Sequence, residues 1–124
     1  MFADWVPQRI EQFFIEIFIM AWFYLILAGL FEIGWPVGLK MAQQENTRIL
    51  GLFVAVFFMT ASGALLWLAQ KQIPLGTSYA IWTGIGAAGT FIVGVLFYGD
   101  PASLARYFGI ILIVAGVAVL KLAA

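Results

Sequence analysis

One carboxylate lies where the chain has no other charge. Six cations and six anions make up its twelve formal charges, and eleven of them fall in loops, at the ends of the four long apolar runs or in the first nineteen residues. Glu32 instead sits inside such a run, between Gly29-Leu30-Phe31 and Ile33-Gly34-Trp35. If that run lies in lipid, a carboxylate near its centre costs about 2.5–3.5 kcal/mol on insertion scales. A structural role would call for an intramembrane Lys or Arg as partner, and the chain supplies none. A carboxylate out of water holds a proton more readily, and a second carboxylate nearby strengthens that tendency. Such a group holds a proton or a cation, but not both comfortably. The chemistry on offer is exchange; one Glu with no acid partner, nucleophile or metal is a poor basis for hydrolysis.

Helical spacing supplies the neighbours. Gly29 and Trp35 lie three residues either side of Glu32 and share its face; Gly29 leaves room beside the carboxylate, and Trp35 offers an aromatic wall and an indole N–H. Pro36 cannot donate to the carbonyl of Glu32, so a bend is expected there, of the kind tolerated in membranes where it faces protein or a water-filled cavity. A second group stands in the stretch Gly76-Thr77-Ser78-Tyr79-Ala80-Ile81-Trp82-Thr83-Gly84-Ile85-Gly86. Tyr79 and Trp82 share a face there, and Gly84 and Gly86 form a plausible hinge beyond them. The plain alternative for the two aromatics is an interfacial belt. Ser62, with Thr60, is one of few hydroxyls in its own apolar run, and its plain alternative is a bond back to its own helix.

The elements that carry these residues follow from composition. The chain has 124 residues, is 65% hydrophobic and only 10% charged, whereas a soluble domain carries roughly a quarter charged residues. A mean hydropathy of +1.06 points to lipid as the solvent, and a soluble fold this short would leave about two-fifths of its unfolded-chain surface in water. Charges and turn residues divide the chain into four apolar segments: about 20–40, 49–69, 74–98 and 103–121. Each is close to the ~20 residues that cross a ~30 Å hydrocarbon core as a helix, and none alternates as a barrel strand does. The expected fold is an all-α integral membrane protein with four transmembrane helices. Pro74 suits the first turn of the third, and Arg106 can snorkel from the first turn of the fourth.

Residues 1–19 stand apart as an additional amphipathic helical segment. Asp4 comes early and no small-residue cleavage site follows, which disfavours a signal peptide. The segment reads either as a short interfacial helix or as an N-terminal continuation of the first span, with Glu16 near the headgroups. Residues 20–124 form the four-helix domain. Gly84, Gly86, Gly89 and Gly94 imply close helix packing. Gly109 and Gly116 lie on one face of the last span, and packing within one chain and a contact between two chains both remain open.

Several functions drop out. With no Cys and no His, thiolate and imidazole metal sites and Cys/His nucleophile pairs are absent, and no disulfide can form. Six scattered cations at zero net charge make no basic stripe for nucleic acid. Neither GxxxxGK[ST] nor a strand-bounded GxGxxG occurs, so neither ATP nor a dinucleotide is an expected cofactor.

With these residues in view, the run from Met20 to Lys121 resembles the small multidrug resistance family. Gly29-Leu30-Phe31-Glu32 and the Gly76–Gly86 stretch carry the likeness. The resemblance implies a proton-coupled exporter acting as an antiparallel, dual-topology homodimer in the bacterial inner membrane, driven by the proton gradient with no cofactor. It implies that Glu32 is shared by proton and substrate, that Gly84 and Gly86 form the third-helix bend, and that Gly109 and Gly116 belong to a dimer-packing helix. Glu32-Ile33-Gly34-Trp35 followed by Gly38-Leu39-Lys40 is similar to the guanidinium-exporter branch, in which Ser62 and Trp82 match positions that support the glutamate and Tyr79 matches a binding-site tyrosine. Guanidinium is a planar fork of N–H donors that a carboxylate accepts bidentately. Three features depart from the pattern: the segment before Met20, Pro36 after the Trp, and a first loop without a Gly-aromatic turn.

Two other readings stand beside this one. An exporter of quaternary ammonium or hydrophobic cations would suit the 17% aromatic content, although a polar, hydrogen-bonded site disfavours cations that lack donors. A non-transporting membrane subunit would leave Glu32 unexplained. Topology follows short-loop Lys and Arg, and these divide evenly: Arg9, Lys71 and Lys121 on one side, Lys40, Arg48 and Arg106 on the other. A chain without bias should insert both ways, as an antiparallel dimer requires.

Overall fold

A computed structural model describes residues 7–124; Asp4 and the rest of residues 1–6 lie outside the described residues. Among the described residues the chain forms five helices, α1 (Gln8–Glu32), α2 (Gly34–Met41), α3 (Arg48–Ala69), α4 (Leu75–Phe97) and α5 (Leu104–Ala123), with a 3-10 turn at Glu45–Thr47 between α2 and α3. Together α1 and α2 make one 34-residue span, and each of α3, α4 and α5 is also long and apolar enough to cross a membrane. Four membrane-capable helices agree with the four-helix expectation, although the first begins at Gln8 rather than near residue 20.

The first span is the least regular. Ile33 keeps helical torsions, φ −65 and ψ −34, but its N–H reaches back to the Leu30 carbonyl at 3.2 Å. The helical ladder is therefore interrupted beside the Glu32 carbonyl, which Pro36 leaves without its usual donor. On the other side of the break, α1 runs back unbroken to Gln8. The whole span is about 50 Å long at about 1.5 Å per residue, well beyond a hydrocarbon core of about 30 Å, so it must tilt or project. Gln8–Glu16 are exposed throughout.

Small residues set the distances between helices. α2 crosses α3 where a Cβ on Gly38 would overlap the backbone of Gly51 and Ala55, a spacing that only small residues permit. α1 meets α4 through Gly29 against Ile85 and through Ile33 against Gly89. The buried cluster Ala21, Trp22, Leu25, Ala69, Ile73 and Ile81 ties α1, α3 and α4 together at one end. At the other end Thr47 donates to the Met41 carbonyl at 2.7 Å and closes the first loop. α5 begins at Ser103, whose hydroxyl caps the Arg106 N–H at 3.3 Å, and packs chiefly on α4. None of its residues is buried, and nothing within 4 Å would meet a Cβ at Gly109 or Gly116.

Candidate functional site

Ser62 is the centre of the site. It is fully buried on α3 and links three elements. Its Oγ lies 2.7 Å from the Ala28 carbonyl of α1 and 3.1 Å from Glu32 Oε2. From α4, the Trp82 indole N–H donates to the same Oγ at 2.8 Å. The bond back to its own helix is therefore replaced by bonds to two other helices. A serine hydroxyl has one proton to give and two lone pairs to receive with. With Trp82 filling one lone pair, that single proton serves either Ala28 or Glu32. A protonated Glu32 can donate into the second lone pair instead, leaving the Ser62 proton for Ala28.

Gly86 admits Glu32 to this position. A Cβ there would overlap Glu32 Cγ, so α4 comes close to the carboxylate only because residue 86 has no side chain. Gly84 serves in the same way against Val117 of α5. α4 continues through both glycines without interruption. Gly29 does not provide room beside the carboxylate, as its spacing suggested; the space in front of it is filled by Ile85. Trp35 is half-buried and its indole N–H makes no hydrogen bond among the described residues. Tyr79 is 55% exposed and packs on Trp82 with ring centroids 5.4 Å apart, so it reaches the network through the ring that holds Ser62.

Glu32 opens onto a cleft of about 440 Å³ between α4 and α5. Thr83 and Thr90, two turns apart on α4, line it, and its far end carries Asp100 and Arg106. The Thr83 hydroxyl turns back onto the Tyr79 carbonyl at 2.7 Å. Thr90 makes no side-chain hydrogen bond among the described residues and also lines a smaller cavity of about 150 Å³ with Pro36, Lys40 and Asp100. Thr90, Asp100 and Arg106 are not among the site residues expected from the sequence, although the seven-residue interval from Thr83 to Thr90 is a signal for one polar face of α4. No group of three or more acidic side chains able to hold a metal occurs among the described residues.

Four membrane-capable helices among the described residues, with one half-buried, hydrogen-bonded carboxylate at the break in the first, define a small helical membrane protein. Comparison with known proteins names the family. Residues 20–113 match the Small Multidrug Resistance protein model. A protein of Yersinia pseudotuberculosis named guanidinium exporter is 47% identical over 104 residues, covering 84% of this chain and 99% of that protein. A Salmonella typhimurium guanidinium exporter is 48% identical over 105 residues, covering 85% of this chain and 99% of its own. One from Citrobacter freundii is 45% identical over 103 residues, with 83% and 97% covered. The chain belongs to the small multidrug resistance family and is a multi-pass protein of the bacterial inner membrane.

Proposed function

We propose that the protein is a guanidinium exporter, a transporter and not an enzyme, and that it exchanges guanidinium for protons at Glu32. The observation that carries this reading is the Ser62 node: a buried hydroxyl, held by Trp82, that donates to one edge of Glu32, the carboxylate at the break between α1 and α2. A carboxylate oriented in this way presents its remaining lone pairs in one plane, which suits the planar N–H fork of guanidinium. A tetraalkylammonium ion brings no donors and would leave those lone pairs unpaired, a substantial loss at a site out of water.

Proton and cation are alternative loads on Glu32. A proton lets Glu32 donate to Ser62, leaving the Ser62 proton for Ala28. With guanidinium bound instead, the Ser62 hydroxyl donates to the carboxylate edge that the cation leaves free. Exchange of one load for the other accompanies alternating access on the two sides of the membrane.

The working unit is an antiparallel, dual-topology homodimer with a Glu32 from each subunit, driven by the proton gradient and using no cofactor. The exposed α5, with Gly109 and Gly116 open on it, supports a lateral contact with a second copy, and the even split of cations supports insertion in both orientations. Gly84 and Gly86 act as the hinge through which α4 changes its bend, and Trp35 and Tyr79 join the site as the dimer closes around the ion. Proteoliposome uptake of guanidinium and of tetraethylammonium, measured under an outward proton gradient, tests the assignment. Uptake of guanidinium alone is expected; preferential uptake of tetraethylammonium would transfer the protein to the quaternary ammonium class.

A further inference from the structure

The far end of the Glu32 cleft carries its own set of groups suited to a guanidinium. α4 ends at Phe97, and Gly99, at φ +68, turns the chain in the left-handed conformation that glycine favours. The N–H groups of Tyr98 and Asp100 both donate to the Gly94 carbonyl, at 3.0 and 3.1 Å. A Cβ on Gly94 would overlap the Asp100 carboxylate, so the bare glycine lets that carboxylate fold back over the cleft mouth. The unbonded Thr90 hydroxyl lies between it and Glu32 in the lining of the cleft.

One guanidinium is already present at this mouth. The Arg106 head group lies over the Phe91 ring, 5.6 Å from Cζ to the centroid, within the range of a cation–π contact. Both residues line the same cleft as Asp100. We infer that Asp100, Thr90 and the Phe91 face form a second, outer subsite for a small planar cation with N–H donors, and that Arg106 is its tethered occupant, displaced as a free ion enters or leaves. This rests on the proposed guanidinium transport and extends it from one carboxylate to two stations along the cleft. With Arg106 over Phe91 the ring face is occupied and a second cation beside Asp100 is repelled; once Arg106 swings away, the ring face and the exposed carboxylate are both open to the incoming cation. Lys40, on the opposite wall of the smaller cavity, keeps that attraction weak enough for the ion to move on. In an antiparallel dimer one copy of the station faces each side of the membrane.

Initial rates of guanidinium uptake into proteoliposomes, measured against concentration at low and high salt, test the inference. The proteins compared are wild type, Asp100→Asn, Arg106→Gln and Glu32→Gln. At low salt Asp100→Asn should raise KM by about two- to fivefold, the scale of an exposed charge interaction, with the maximal rate little changed. Arg106→Gln should lower KM by a similar factor, because the tethered competitor is gone. Both shifts should collapse near 1 M salt, where the screening length is about 3 Å; a merely structural effect would persist. Asp100→Glu, which keeps the charge, should stay close to wild type and guards against misfolding of the Asn variant. Wild-type KM in both variants, or a rise in KM in both, overturns the inference while guanidinium transport by wild type stands. Absence of guanidinium uptake by wild type, or full uptake by Glu32→Gln, overturns the underlying assignment and the outer subsite with it.

Discussion

Removal of the Ser62 hydroxyl should damage stability and binding by separable amounts. Ser62→Ala leaves the Trp82 indole N–H, now 2.8 Å from Oγ, without its acceptor; an unsatisfied donor of this kind costs about 1–3 kcal/mol. Ala28 keeps its place in the α1 ladder and loses only a supplementary bond, worth about 0.5–1.5 kcal/mol. Together these predict a thermal stability loss of a few kcal/mol at most. The Glu32 term falls on binding, because a bond to a charged group is worth about 1.5–3 kcal/mol. Glu32 is only half-buried and the bond is long at 3.1 Å, so the lower end applies, about a tenfold weaker guanidinium affinity. Trp82→Phe removes the same Ser62–Trp82 bond from the other side. In a cycle read by calorimetric binding and by thermal unfolding, the second change should therefore cost little once the first is present, giving a coupling of about 1 kcal/mol. Strictly additive losses would refute the hydroxyl as a shared node.

Gly86→Ala should abolish transport while leaving membrane insertion intact, since its methyl would overlap Glu32 Cγ; uptake near the wild-type rate would show that α4 does not press on the carboxylate. Guanidinium affinity should fall as pH falls, because protons compete for Glu32; isothermal titration giving one affinity from about pH 5 to pH 9 would rule that competition out. Gly109→Leu combined with Gly116→Leu should convert dimer to monomer by crosslinking in detergent micelles, as the open face of α5 fills with bulk; unchanged crosslinking would place the contact elsewhere. A chain beginning at Met20 should retain guanidinium uptake, because Gln8–Glu16 are exposed and the family match begins at residue 20; loss of uptake with normal insertion would make the segment part of the machinery.

Glu32 was legible from the sequence because lipid makes a lone carboxylate conspicuous. The four spans were legible because apolar length is a local property. What periodicity could not supply was the identity of neighbours from other helices. Gly29 shares a face with Glu32, yet its open side is filled by Ile85, since the approach of α1 to α4 decides which residue enters. Ser62 stood out as a rare hydroxyl, but its reach to Ala28 rather than to its own helix depends on how α3 crosses α1. The hydrogen-bond ladder of the first span is interrupted at Ile33, beside the Glu32 carbonyl that Pro36 leaves without a donor. Asp100 and Arg106 are distant in sequence from Glu32; only the packing of α4 on α1 and of α5 on α4 brings them to one cleft. Trp35, the clearest sign of subtype in the sequence, stands apart from the Ser62 network within one subunit.

Proton release on guanidinium binding tests the central claim most directly. Purified protein in weakly buffered solution should acidify the medium when guanidinium is added, and Glu32→Gln should give no release. Guanidinium binding with no proton released by wild type, or equal release by wild type and Glu32→Gln, would contradict exchange at this carboxylate.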